Sequence, residues 1–296
     1  MSPRRRWAHR AIGVVGGAAA LFFVALPVAF AIVQTHKHRE PIGDPPSTAY
    51  EPVEYEASDG LRIRGWYVGS RNRAAVIVVH GGGGDRTGAL RHARLLARHR
   101  YGVLVYDSRG RGESEGSHNS PGWGWEHDVA GAIAYLRRRP DVDPDRIGAL
   151  GLSTGADVLI EVAAETDDLK AVVGDGSTIR SFGDHLEVAG FDAFAPFSAV
   201  GFTAVRAFSG SSPGEPLAEL VRDISPTPLL LIAAGKGAQL ERKANRVYAE
   251  TAREPVELWD LPDATHTAAI RERPAEYERR VIEFFDDALL GRGRSA

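Results

Sequence analysis

Cysteine is absent from the 296 residues, which excludes disulfides, thiolate metal sites and a cysteine nucleophile at once. The same absence fits a reducing and an oxidising compartment alike. An excess of positive charge is also missing, with 36 Lys and Arg against 39 Asp and Glu. No basic field of the kind that gathers phosphate backbones follows from such a balance, so nucleic acid is not an expected partner. Repeats and low-complexity tracts are lacking too. His36 and His38 stand close together, but two histidines alone make a poor metal site, and their surroundings read as a solvated segment.

Charge is missing again, and informatively, from Ala11 to Val33. That run exceeds the roughly 20 apolar residues a membrane-spanning helix needs, and Arg4, Arg5, Arg6 and Arg10 precede it. Residues 1–35 are expected to form an N-terminal transmembrane anchor. The alternative is a cleaved signal peptide, because Ala29-Phe30-Ala31 forms a small-x-small site, although signal h-regions usually run to about 7–15 residues. Four arginines before the run against Lys37 and Arg39 after it place the N-terminus inside and the remainder on the extracytoplasmic side, tethered, or secreted if the segment is cut. Residues 36–49, with Pro41, Pro45 and Pro46, read as an extended linker.

Past the linker, Val53 to Ala57 and Leu61 to Val68 alternate as the arms of a hairpin turning at Asp59-Gly60. Short, almost wholly apolar runs then alternate with helical stretches: Ala74 to Val79, Val103 to Tyr106, Arg146 to Leu150, Leu169 to Val173, Leu229 to Ala234 and Val256 to Leu261. Continuous apolar strands suit a parallel sheet covered on both faces, and the alternation places residues 50–292 in the doubly wound α/β class. One interval, at about 179–224, has no clear strand and many aromatics. It reads as a helical cap insertion over a site.

Gly151-Leu152-Ser153-Thr154-Gly155 matches the G-x-S-x-G nucleophile elbow, as do the segments around Ser114 and Ser212. Only Ser153 has a strand before it, Ile147 to Leu150, and an apolar helix after it, which the strained turn requires. Ser114 lies in a charged glycine-rich loop, and Ser212 precedes a proline.

From about Tyr50 to Leu290 the chain resembles the α/β-hydrolase family, and the resemblance implies the rest of the site. His80-Gly81-Gly82-Gly83-Gly84 follows a strand where the family keeps a backbone oxyanion donor. Gly82 N–H with Thr154 N–H is the implied pair, Gly83 being a further contributor, and glycine there suits close approach or a positive φ. Asp107-Ser108-Arg109-Gly110-Arg111-Gly112-Glu113-Ser114 is similar to a structural loop of the family. Pro262-Asp263-Ala264-Thr265-His266 occupies the place of its catalytic histidine; His185, in the insertion, is the other histidine after the elbow. The family's acid is missing from Gly235-Lys236-Gly237-Ala238. Glu241 is the implied substitute, with Asp175 the alternative.

These roles imply a serine hydrolase acting through an acyl-enzyme on an ester or related acyl bond of a small, apolar substrate, with no metal or organic cofactor. Two other readings stand beside it: a serine peptidase of the aminopeptidase or acyl-peptidase kind, and a catalytically silent binding protein that has kept the fold.

Overall fold

Valine, isoleucine and leucine runs build the centre of the molecule. The structure, a computed structural model, describes residues 3–36, 41–116, 122–237 and 240–292. Lys37, His38, Arg39 and Ala238 lie outside the described residues. Eight strands form one sheet: β1 (Glu51–Glu56), β2 (Arg62–Val68), β3 (Ala75–Val79), β4 (Gly102–Tyr106), β5 (Ile147–Leu152), β6 (Val172–Asp175), β7 (Leu229–Lys236) and β8 (Val256–Thr265). Their order is β1-β2-β4-β3-β5-β6-β7-β8. The β1/β2 and β2/β4 ladders are antiparallel and all the others parallel.

Every residue of β3, β4, β5 and β6 is buried, as a sheet covered on both faces requires. Along β3 the pleat deals alternate residues to two cores. Ala75, Ile77 and Val79 join the core beneath α4 (Glu126–Arg137), α5 (Thr154–Glu165) and α9 (Glu241–Thr251). Val76 and Val78 join the other, beneath α3 (Leu90–Arg98) and α11 (Pro274–Phe285). Between Ile179 and Ile224 lie three helices, α6 (Phe182–Ala189), α7 (Ala195–Ser209) and α8 (Leu217–Leu220), and the short α10 (Ala269–Glu272) precedes α11.

At the N-terminus α1 (Pro3–Ala20) and α2 (Leu26–Thr35) are joined by one π-helical stretch, Leu21–Ala25, into a single helix. From Arg4 to Thr35 it is long and apolar enough, by length and composition, to serve as a membrane span or a signal sequence. Its last turns are not solitary. Ala31 packs with Trp123, Ala204 and Val205, and Val28 and Phe202 close around them.

Two expectations need correction. Residues 262–265, read as a loop, stay in the ladder: β7 runs on to Lys236, which pairs with Thr265 across an irregularity at Ala234/Lys236. Gly235 permits this, because a Cβ there would lie 2.1 Å from the Pro262 carbonyl oxygen. The glycines of the loop after β3 are also not needed for positive φ, since none of residues 81–84 adopts it.

Candidate active site

Ser153 stands between the buried strand β5 and the N-terminus of α5, with φ 52° and ψ −120°. That conformation is strained for a residue with a side chain and persists only where the surroundings over-determine it. Here the Ser153 N–H donates to the Asp175 carbonyl at 2.8 Å. The flanking glycines are steric necessities: a Cβ on Gly151 would lie 2.4 Å from the Gly155 carbonyl carbon, and one on Gly155 would lie 2.5 Å from the Val79 carbonyl oxygen. Ser114, by contrast, is fully buried and donates to the Asp107 carbonyl while accepting from the Arg64 N–H. Ser212 is exposed between helices.

Leaving the end of β8, His266 is tied by its N–H to the Lys236 carbonyl at 2.8 Å. Its Nε2 lies 2.9 Å from Ser153 Oγ and its Nδ1 lies 2.6 Å from Glu241 Oε2. Glu241 opens α9 and is fully buried; its other oxygen accepts the Ala234 N–H at 2.7 Å. With the carboxylate on Nδ1, that nitrogen carries the proton and Nε2 faces the serine as an acceptor. Burial works against the charged imidazole, but the hydrogen bond and charge of Glu241 outweigh it, with Asp175 and Asp157 behind, and His266 is raised above its ordinary value.

Asp175 is placed differently. It ends β6 and accepts from the Tyr277 hydroxyl at 3.0 Å, with burial pushing it up to about 7 despite that bond. His185 sits in the cap, 3.1 Å from Asp192. His80 is held neutral, lowered to about 4 chiefly by burial, with Nδ1 on the Gly81 carbonyl and Nε2 accepting the Ser108 N–H.

Gly82 and Thr154 face each other closely: a Cβ on Gly82 would lie 2.6 Å from Thr154 Oγ1, and one on Gly81 would lie 3.3 Å from Ser153 Cβ. Thr154 is the first residue of α5, so its N–H has no partner within the helix. Arg111 donates to the Gly82 carbonyl and so ties down the loop that faces Thr154. Asp107 anchors the same region by accepting from the Arg86 and Glu113 N–H groups and pairing with the Arg86 guanidinium. Arg109 bridges Asp59 and Asp128.

Ser153 opens into a cavity of about 610 Å³ lined by Gly82, Thr154, Ile179, Phe197 and Phe202, and also by Phe22, Phe30 and Gln34 of the N-terminal helix. A second cavity of about 730 Å³, with Lys170, Arg279, Arg280 and Glu283 in its wall, lies where β7 and β8 begin, at the strand ends opposite to Ser153. Sequence reasoning missed three contributors. The N-terminal helix gives the pocket a wall, Arg111 holds the Gly82 peptide, and buried Asp157 accepts from Ser177 Oγ and the Thr178 N–H beside the imidazole. Among the described residues no cluster of His, Asp and Glu could hold a metal ion.

Residues 35–207 match the family described as X-Pro dipeptidyl-peptidase (S15 family). Among curated proteins, YfhR of Escherichia coli K12 is 27% identical over 248 residues, covering 81% of both chains. Among solved structures, the Pyrococcus furiosus esterase Pf2001 superposes with a TM-score of 0.70 at 25% identity, covering 86% of this chain and 99% of that one. The acylaminoacyl peptidase of Pyrococcus horikoshii gives a TM-score of 0.60 at 20% identity, covering 82% and 42%. The α/β hydrolase GrgF of a Penicillium species gives 0.69 at 19% over 81% and 99%, and the common architecture is the α/β-hydrolase fold.

Proposed function

The chain belongs to the X-Pro dipeptidyl-peptidase (S15) family and is a hydrolase of the α/β fold, and from that premise we propose that it is a membrane-anchored serine hydrolase of esters with an apolar acyl group. The observation that carries this reading is the unbroken chain from Ser153 Oγ to His266 to Glu241, at 2.9 and 2.6 Å. Ser153 attacks the acyl carbon while His266 takes its proton; the oxyanion is held by the Gly82 and Thr154 N–H groups; the C–O bond breaks and the alcohol leaves with the proton from His266. Water, deprotonated by His266, then releases the acid and restores the serine. Glu241 holds the imidazole in its tautomer and balances the imidazolium.

The lining supports an ester over a peptide with a free amino terminus. Recognition of an ammonium group needs an unengaged carboxylate. Asp192, the one acidic side chain among the described lining residues, has its Oδ1 engaged by both His185 and the Phe194 N–H, which leaves at most one carboxylate oxygen for a cation. Family membership keeps the peptidase as the second reading.

The test is a panel of p-nitrophenyl esters of rising chain length beside X-Pro and aminoacyl naphthylamides, with a fluorophosphonate probe. Esters should turn over and the probe should label Ser153, neither Ser114 nor Ser212, with Ser153→Ala lowering the rate by roughly four to six orders of magnitude. Turnover of the naphthylamides alone would favour the peptidase, and labelling that survives Ser153→Ala would overturn the nucleophile.

A further inference from the structure

Three observations outside the catalytic groups meet on one side of the molecule. First, α7 runs parallel to the N-terminal helix: Phe197 and Phe194 stand 5.6 and 6.4 Å from Phe22, a methyl on Gly201 would lie 3.5 Å from Pro27, and Phe208 lies 6.1 Å from His36. The start of α7 and the loop leading into it therefore lie level with the middle of that helix, not with its end. Second, beyond the N-terminal helix the large apolar side chains left exposed among the described residues are Leu186, Phe191 and Phe194, all at this end of the cap. Phe191, at 81% exposed, touches almost nothing in its own chain. Third, the cavity over Ser153 takes part of its wall from Phe22 and Phe30.

A helix rises about 1.5 Å per residue, and the hydrocarbon core of a bilayer is about 30 Å thick. With Arg10 held at the inner boundary, Phe22 lies about 18 Å into that core and Phe30 about at its outer boundary. The exposed Phe194, level with Phe22, and Phe191 in the loop leading into α7 then fall in the outer leaflet, where such side chains are stable. Asp192 between them accepts a hydrogen bond from His185 at 3.1 Å.

We propose that the cap tip at residues 190–194 is immersed in the outer leaflet of the membrane that the N-terminal helix crosses, and that the pocket opens sideways into that leaflet, so that the substrate is a long-chain acyl ester resident in the bilayer. This rests on the anchored-hydrolase reading above. The acyl chain lies along the wall that Phe22 and Phe197 form together while its carbonyl reaches Ser153, and the ester never crosses water.

The experiment uses the full chain in vesicles of phosphatidylcholine and phosphatidylglycerol carrying a diacylglycerol, with fatty-acid release measured beside turnover of p-nitrophenyl butyrate. Phe191→Asp should lower release at least tenfold and leave butyrate turnover within twofold. Because the chain has no cysteine, Phe191→Cys accepts a single environment-sensitive fluorophore, which should be quenched by lipids bearing a nitroxide on the acyl chain. Quenching by aqueous iodide and not by those lipids overturns the proposal. So does an enzyme that cleaves butyrate through Ser153 and releases nothing from the vesicles, which leaves the hydrolase reading standing. Butyrate turnover that survives Ser153→Ala would instead bring down the hydrolase reading and this proposal with it.

Discussion

Around His266 the structure sets two buried carboxylates at unequal distances from the same imidazole. Glu241 touches Nδ1, while Asp175 spends its oxygen on the Tyr277 hydroxyl and stays 2% exposed. Replacing Glu241 by Gln should therefore lower kcat by about four orders of magnitude, and Asp175→Asn by no more than about tenfold, each protein first checked for folding by circular dichroism. The pH profile separates these residues further. His266 acts as a base only when neutral, and its raised value makes kcat/KM climb with pH through an inflection above the ordinary imidazole value of about 6.5. In Glu241→Gln the main opposing influence to burial is gone, so that inflection should move down; an unmoved inflection would remove Glu241 from the site. Ser153 and His266 were legible because the elbow and the end of the last strand carry local signatures. Glu241 was reached only as one of two alternatives. Asp157 was not legible at all, since its partners Ser177 and Thr178 come about twenty residues later and meet it only through the packing of α5 against β6.

Elements rather than residues decide whether the oxyanion site exists, because the loop after β3 and the N-terminus of α5 must approach to a distance that side chains forbid. In Gly82→Ala the added methyl would strike Thr154 Oγ1. Turnover should fall by about a hundredfold, the scale of losing one oxyanion donor, with the thermal midpoint little changed. A large drop in the midpoint would show the loop to be structural instead. Most strands of the parallel sheet could be read from the sequence, because strands buried on both faces are written as unbroken apolar runs. The end of β8 could not. Pro262 and Asp263 read as part of a loop after the strand, and the extension of β7 to Lys236, with Gly235 pressed against Pro262, keeps them in the ladder. That same extension carries the chain into α9 at the place where a glutamate, one methylene longer than the family's aspartate, meets the histidine.

At the scale of the whole molecule the N-terminal helix has two sides with different partners, and its sequence announces only one of them. The apolar run and the arginines before it could be read as an anchor, whereas the contact of Ala31 with Ala204 and Val205 could not, since small residues inside a long apolar run carry no mark of a packing face. In intact cells, protease added outside should reach the chain beyond Pro41 while the first ten residues stay protected; a soluble protein beginning at Ile32 would establish a cleaved segment instead. The distinction bears on the catalyst itself. Phe22, Phe30 and Gln34 all belong to the segment usually deleted to make such an enzyme soluble. A trimmed version would keep Ser153, His266 and Glu241 and look competent in any cuvette, yet its trench would lack one bank and its cap helix α7 would show water a face built to touch another helix. Selectivity tables and inhibitor rankings gathered on that version would describe a different enzyme from the one in the cell.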